Sequence, residues 1–209
     1  MRVFHFLSHE FGLKDIRERR LKIARIMELN DPFEFLGVEL SDPELRRGLQ
    51  VDKSRLSQDN GLLCFTKSWH NPVLWSHYAD KHRGLCLGFD MPDEYLCQVS
   101  YVNSRLHWPA VLDKSFVKRL LFTKFAHWSY EDEYRSYVSL DETEDGLYYA
   151  NFSDNLVLRQ VIVGPDSTIS RSQLTEALGD MAPHVDRFKA RAAFRSFRIV
   201  KNLNGSLWA

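Results

Sequence analysis

The chain has no surplus charge. Lys+Arg and Asp+Glu each number 28 among 209 residues, so the formal net charge is zero. With no global field to steer it toward nucleic acid or an anionic membrane, any such binding must come from a local patch. Cysteine is scarce too: Cys64, Cys86 and Cys97 form an odd set without a CxxC pair. Cys64 and Cys86, set in apolar runs, read as small buried hydrophobes. No stretch reaches the roughly 18 apolar residues of a membrane span. The apolar run after Arg2 is too short for a signal peptide, and the expected location is cytoplasmic. GxGxxG, P-loop, GxSxG and HExxH motifs are all missing, against the common dehydrogenase, NTPase, α/β-hydrolase and zincin patterns.

What remains is ordinary folded protein with many rings: 44% hydrophobic, 27% charged and 13% aromatic. The length suits one domain spanning 1–209. Val3–Leu7 reads as a strand, 12–20 as a short helix, and the alternation from Leu21 to Ile26 as a second strand. Ser41-Asp42-Pro43-Glu44 opens a helix, with Ser41 as cap and Pro43 in the first turn. Gly61–Thr66 and Leu85–Phe89 are buried strands. Between them a helix from Asn71-Pro72 carries Leu74, Trp75, Tyr78 and Ala79 on one face and stops at Gly84. Val99–Val102 is a strand, 112–127 a helix, Trp128–Val138 an alternating strand and 141–146 an acidic loop. Leu158–Val163 is a strand, followed by helices at 168–178 and 184–194 and a closing strand at Phe197–Val200. This mixture is α+β: split mixed or antiparallel sheets flanked by helices.

The chemically richest run is Glu131-Asp132-Glu133-Tyr134-Arg135. On a strand, period-two alternation puts Glu131, Glu133 and Arg135 on one face, about 6.5–7 Å apart. Two carboxylates at that separation repel, which tends to raise one pKa and hold the other ionised. The plain alternative is an edge strand whose paired charges prevent aggregation. His70, His77 and His82 lie near Cys64 and Cys86, but His77 and His82 are five apart, unlike a helical zinc pair, and no metal is expected. His5 reads as a core histidine, and Trp75 with Tyr78 as core rings that could also floor a pocket for a flat heterocycle. Two basic runs, Arg17 to Arg25 and Arg187 to Arg198, read as solvated faces.

Four ordered blocks carry a resemblance: Asn30-Asp31-Pro32-Phe33-Glu34, Trp75 through Phe89, Glu131 through Arg135, and Val161-Ile162-Val163-Gly164-Pro165. Together they resemble the bacterial domain-of-unknown-function family 2971 over nearly the whole chain. The opening strand with His5 and the late Glu-x-Glu are similar, more distantly, to the ADP-ribosyltransferase superfamily. That resemblance implies an ADP-ribosyltransferase-like fold and NAD as substrate, with no metal. It implies Glu133 as catalytic residue, with Glu131 orienting or deprotonating the acceptor. His5 would contact the adenosine ribose and Trp75 or Tyr78 would stack on nicotinamide. Phe6, Ser8, Asn30, Asp31 and Arg135 complete the NAD-binding set.

The function so implied is NAD-dependent ADP-ribosyl transfer or NAD glycohydrolysis, in a bacterial toxin or phage-defence effector. Its partners would be NAD, a protein or nucleic-acid acceptor and an inhibitory protein, with no membrane. Two other classes stay open. One is a Mg²⁺-dependent nuclease or phosphodiesterase with Glu131, Glu133 and Asp31 as ligands. The other is a non-catalytic binding module that docks a protein through its aromatic surface.

Overall fold

A computed structural model describes residues 1–109, 111 and 113–208. Along the chain run β1 (Arg2–Leu7), α1 (His9–Glu18), β2 (Arg20–Arg25), α2 (Pro43–Asp59), β3 (Asn60–Thr66), α3 (Pro72–Tyr78), β4 (Leu85–Asp90), β5 (Cys97–Gln98) and β6 (Ser100–Val102). Then come α4 (Lys114–Leu121), β7 (Thr123–Phe125), β8 (Glu133–Ser139), β9 (Tyr148–Asn151), β10 (Val157–Val163), α5 (Arg171–Leu178), β11 (Asp186–Ala192) and β12 (Ile199–Lys201). The class is α+β, a mixed sheet flanked by helices.

Local chemistry explains where the helices begin. Ser8, Asp42, Asn71, Asp113 and Ser170 each accept a first-turn backbone N–H, and Ser170 forms a full capping box with Gln173. Each such cap stabilises its helix by about 1 kcal/mol. The cap of α2 is Asp42, not Ser41: its carboxylate accepts from Glu44 N–H at 2.7 Å, with Pro43 at the first helical position.

The chain packs as two compact units. Unit one comprises Met1–Leu21, Phe65–Asp93 and Ala150–Ala209, and unit two Lys22–Cys64 and Glu94–Tyr149. Neither is a continuous stretch of chain.

In unit one, strands are hydrogen-bonded in the order β12-β11-β10-β4-β1. β10 and β11 are parallel, while β10–β4, β1–β4 and β11–β12 are antiparallel. The parallel pair follows from α5, because same-direction strands need a crossover long enough for a helix. Helix α1 lies close on β4: a Cβ added at Gly12 would sit 2.7 Å from Leu85 Cδ1. Phe4, Trp75, Cys86, Ile162 and Phe188 share the core.

In unit two, β2 and β3 pair with Ala24 opposite Leu62, and β8 pairs with β3 and β5. β6 and β7 form a parallel pair. Ile26, Phe35, Leu49, Leu62, Phe116 and Leu120 fill its core.

Four sequence expectations change. Residues 128–131 are not strand: a 3₁₀ turn spans Ala126–Glu131, and β8 starts only at Glu133. The segment placed as a helix at 184–194 instead carries strand β11 over Asp186–Ala192, since its alternation of Arg187, Lys189 and Arg191 with Phe188 and Ala190 has period two. The helix placed at 112–127 is α4, which stops at Leu121 where β7 takes over; Leu112 lies outside the described residues. Helix α3 ends at Tyr78, before Gly84, because Asp80, Lys81 and His82 turn left-handed (φ 44°, 52° and 70°).

Candidate active site

The Glu131–Arg135 run lies in unit two, and its geometry differs from a simple strand face. Glu131 ends the 3₁₀ turn, Asp132 is left-handed (φ 42°, ψ 54°), and Glu133 and Arg135 then share one face of β8 by alternation. The left-handed residue re-aims the chain, so Glu131 still meets Glu133 at a common partner. That partner is Lys124 on β7, whose ammonium donates to Glu131 Oε2 at 2.6 Å and Glu133 Oε2 at 3.1 Å.

Arg135 completes the cluster. Its Nε and Nη2 donate to Glu133 Oε1 and Oε2 at 2.7 and 3.1 Å. Its Nη1 and Nη2 donate to Glu34 Oε2 and Oε1 at 2.9 and 2.5 Å, and Nη1 also donates to Leu121 O at 2.6 Å. Glu34 is delivered by the Asn30–Glu34 turn, in which Asp31 Oδ1 accepts from Phe33 N–H at 2.9 Å. Phe35, buried in the core at φ 63°, holds an unusual left-handed backbone at the end of that turn.

Three carboxylates thus share two cations, all of them buried. Burial alone opposes charging Glu133, but the Arg135 and Lys124 charges overcome it, so its carboxyl titrates below the usual range. Arg135 was visible on the Glu133 face in the sequence; Lys124 is the cation that spacing did not supply. Burial likewise opposes the Lys124 ammonium, and Glu133, Glu34 and Glu131 more than offset it, raising its pKa. Tyr101 accepts the Glu133 N–H at 2.9 Å, and burial, with added push from Glu133, takes its phenol to about 12. Lys53, on the buried face of α2 with Leu49 and Ser57, is lowered by burial against the pull of Glu34 and Asp31.

Two cavities adjoin these side chains. Lys124, Asp31, Phe33 and Arg105 help line one of about 270 Å³, and Arg135 and Tyr137 help line one of about 640 Å³. The Glu133 carboxylate, held ionised in a nearly dry setting, suits meeting a developing positive charge and does not suit donating a proton at neutral pH.

Of the residues singled out in the sequence, Glu131, Glu133, Arg135, Asn30 and Asp31 fall in unit two, while His5, Phe6, Ser8, Trp75 and Tyr78 fall in unit one. Asp31 is buried and Asn30 exposed. Ser8 caps α1, and His5 stacks edge-on against Phe65 at 5.8 Å. Trp75 does not offer a stacking face. It is 0% exposed, lies T-shaped against Phe6 at 5.1 Å and donates its indole N–H to Trp69 O at 2.6 Å, so it is core. Tyr78 is half-buried.

Sequence reasoning missed Glu34, Lys124 and Lys53. Glu34 stood beside the Asp31-Pro32 turn, and Lys124 was a lone charge between Thr123 and Phe125; isolated charges in apolar context were the available signal. Among the described residues no His/Cys/Asp/Glu group is arranged to hold a metal ion. Comparison with family models, curated proteins and solved structures gives no match.

Proposed function

We propose that this protein cleaves the N-glycosidic bond of NAD, as an ADP-ribosyltransferase or NAD glycohydrolase, through the Glu131 and Glu133 carboxylates of unit two. Lys124 carries the reading: one ammonium holds both carboxylates and also lines the 270 Å³ cavity beside Asp31, Phe33 and Arg105. That volume lies just under the roughly 300–1,000 Å³ of ligand pockets, so it suits the nicotinamide–ribose half of a dinucleotide. An ADP-ribosyltransferase-like fold, kinship with family 2971, and a toxin or phage-defence role belong to the same proposal.

When the C1′–N bond breaks, its electron pair leaves with nicotinamide, which departs neutral and needs no acid. Positive charge develops on the ribose, as in glycoside hydrolysis. A carboxylate already ionised and fixed meets that charge without reorganising, and one such preorganised group contributes on the order of 3 kcal/mol. The acceptor oxygen then bonds to C1′ and passes its proton to the second carboxylate. The lowered pKa of Glu133 fits the stabilising role, leaving Glu131 the acceptor side.

One observation favours a second reading. Glu131 and Glu133 are each only 5% exposed, and both oxygens of Glu133 are taken by cations. The cluster would then be internal scaffolding for a non-catalytic binding module. Incubation with NAD separates the two: nicotinamide release by wild type, lost in Glu133→Gln with the fold intact, supports catalysis. Equal behaviour of wild type and Glu133→Gln at high enzyme concentration ends it.

A further inference from the structure

Net neutrality hides a strong local imbalance. Between Asp186 and Lys201 the chain has six cations (Arg187, Lys189, Arg191, Arg195, Arg198, Lys201) and one acid, Asp186. The segment is the β11–β12 hairpin, and β12 is the last strand of its sheet in unit one. Along β11, Phe188 and Ala190 enter the core while Arg187, Lys189 and Arg191 alternate with them, about 6.6 Å apart on the opposite face.

The hairpin loop is closed by Ala193 N–H donating to Arg198 O at 2.9 Å. It holds out two phenylalanine rings: Phe194 is 87% exposed and Phe197 99% exposed. Arg195 and Arg198 beside them are exposed, and the Arg191 guanidinium carbon lies 4.2 Å from the Phe194 ring centroid. Beyond the strands lies a cavity of about 260 Å³ lined by Arg171, Arg187, Lys189 and Lys201. Three of these cations donate to backbone carbonyls: Arg171 to Gly205 and Trp208, Arg187 to Ala182, Lys189 to Ser167. Carbonyl partners orient a cation without cancelling its charge. Among the described residues, the one ion pair made by the four is Lys201 with Asp186, at 3.9 Å.

We propose that this hairpin and its cation-lined cavity form a binding surface for single-stranded nucleic acid. Cations at strand spacing can track a phosphodiester backbone, and exposed rings give unpaired bases a stacking platform. A duplex hides its base faces and would leave Phe194 and Phe197 without partners. An anionic bilayer could accept the two rings, but a flat layer of headgroups does not enter a concave pocket lined by four cations. The proposal is independent of NAD chemistry, and its test uses no NAD.

The test is fluorescence anisotropy of a labelled oligothymidylate with the full chain. Binding should weaken at least tenfold between about 50 and 200 mM salt. Phe194→Ala with Phe197→Ala should weaken binding at least tenfold, and an abasic strand should bind wild type no better than it binds this variant. Arg195→Glu with Arg198→Glu should weaken binding and flatten the salt dependence, while Lys at both positions retains it. All four side chains are exposed, and an unchanged thermal melt verifies the fold. The proposal is overturned by no binding, by equal affinity for duplex, by an unaffected phenylalanine variant, or by binding to phosphatidylserine vesicles without binding to the oligonucleotide.

Discussion

Arg135 and Glu34, 101 positions apart, meet through two parallel hydrogen bonds of 2.9 and 2.5 Å inside unit two. The planar guanidinium fork matches a carboxylate in a way that a lysine ammonium cannot. Arg135 is 1% exposed and grips Glu133 as well, so its removal strands two buried carboxylates. Arg135→Met should lower unfolding stability by about 3–5 kcal/mol, read by urea denaturation. Arg135→Lys should recover only part of it, since the charge returns without the fork.

Acid should weaken the protein through the same cluster. Glu133 titrates below its unfolded value, so the stability it contributes is present above the ordinary carboxylate range and is lost as pH falls through the depressed pKa. Melting temperatures followed downward from about pH 6 should therefore fall more steeply for wild type than for Glu133→Gln. The variant should also melt lower near neutrality.

Asp15 of α1 behaves in the opposite sense. It is 4% exposed, and burial, reinforced by Glu18, lifts its carboxyl to about 7. The folded state keeps a proton that the unfolded chain releases near pH 4, so Asp15 makes stability fall as pH rises from about 4 to 7. Asp15→Asn should flatten that decline and melt higher than wild type above pH 7, with little difference at pH 4.

Gly12→Ala tests the approach of α1 to β4. In an isolated helix alanine would be favoured. Here the added methyl would meet Leu85 Cδ1 at 2.7 Å, with Leu85 itself fully buried. A net loss of about 1–3 kcal/mol by denaturation is the expected outcome.

Much of this was legible where local chemistry decides. The strands Arg2–Leu7, Asn60–Thr66, Leu85–Asp90 and Val157–Val163 announce themselves as apolar runs, and Asn71-Pro72 as the start of α3. The errors arose where a single residue re-aims the chain. Asp132 in the left-handed region broke the apparent strand from Trp128, and Asp80 to His82 ended α3 early. Phe188 and Ala190 supplied an alternation at 184–194 that the helical reading overlooked. The Glu131–Glu133–Arg135 grouping was readable from spacing, but Lys124 and Glu34 come from other elements, and only tertiary packing brings them in.

The central claim is that the Glu131–Lys124–Glu133 cluster supports cleavage of NAD. Its most direct test is chromatographic measurement of nicotinamide released from NAD by wild type, Glu131→Gln and Glu133→Gln, each first shown to be folded by its thermal melt. The account predicts release by wild type, a loss of about a hundredfold or more in Glu133→Gln, and retained hydrolysis with impaired transfer in Glu131→Gln. Release at the same rate by all three, or by none of them, would contradict it.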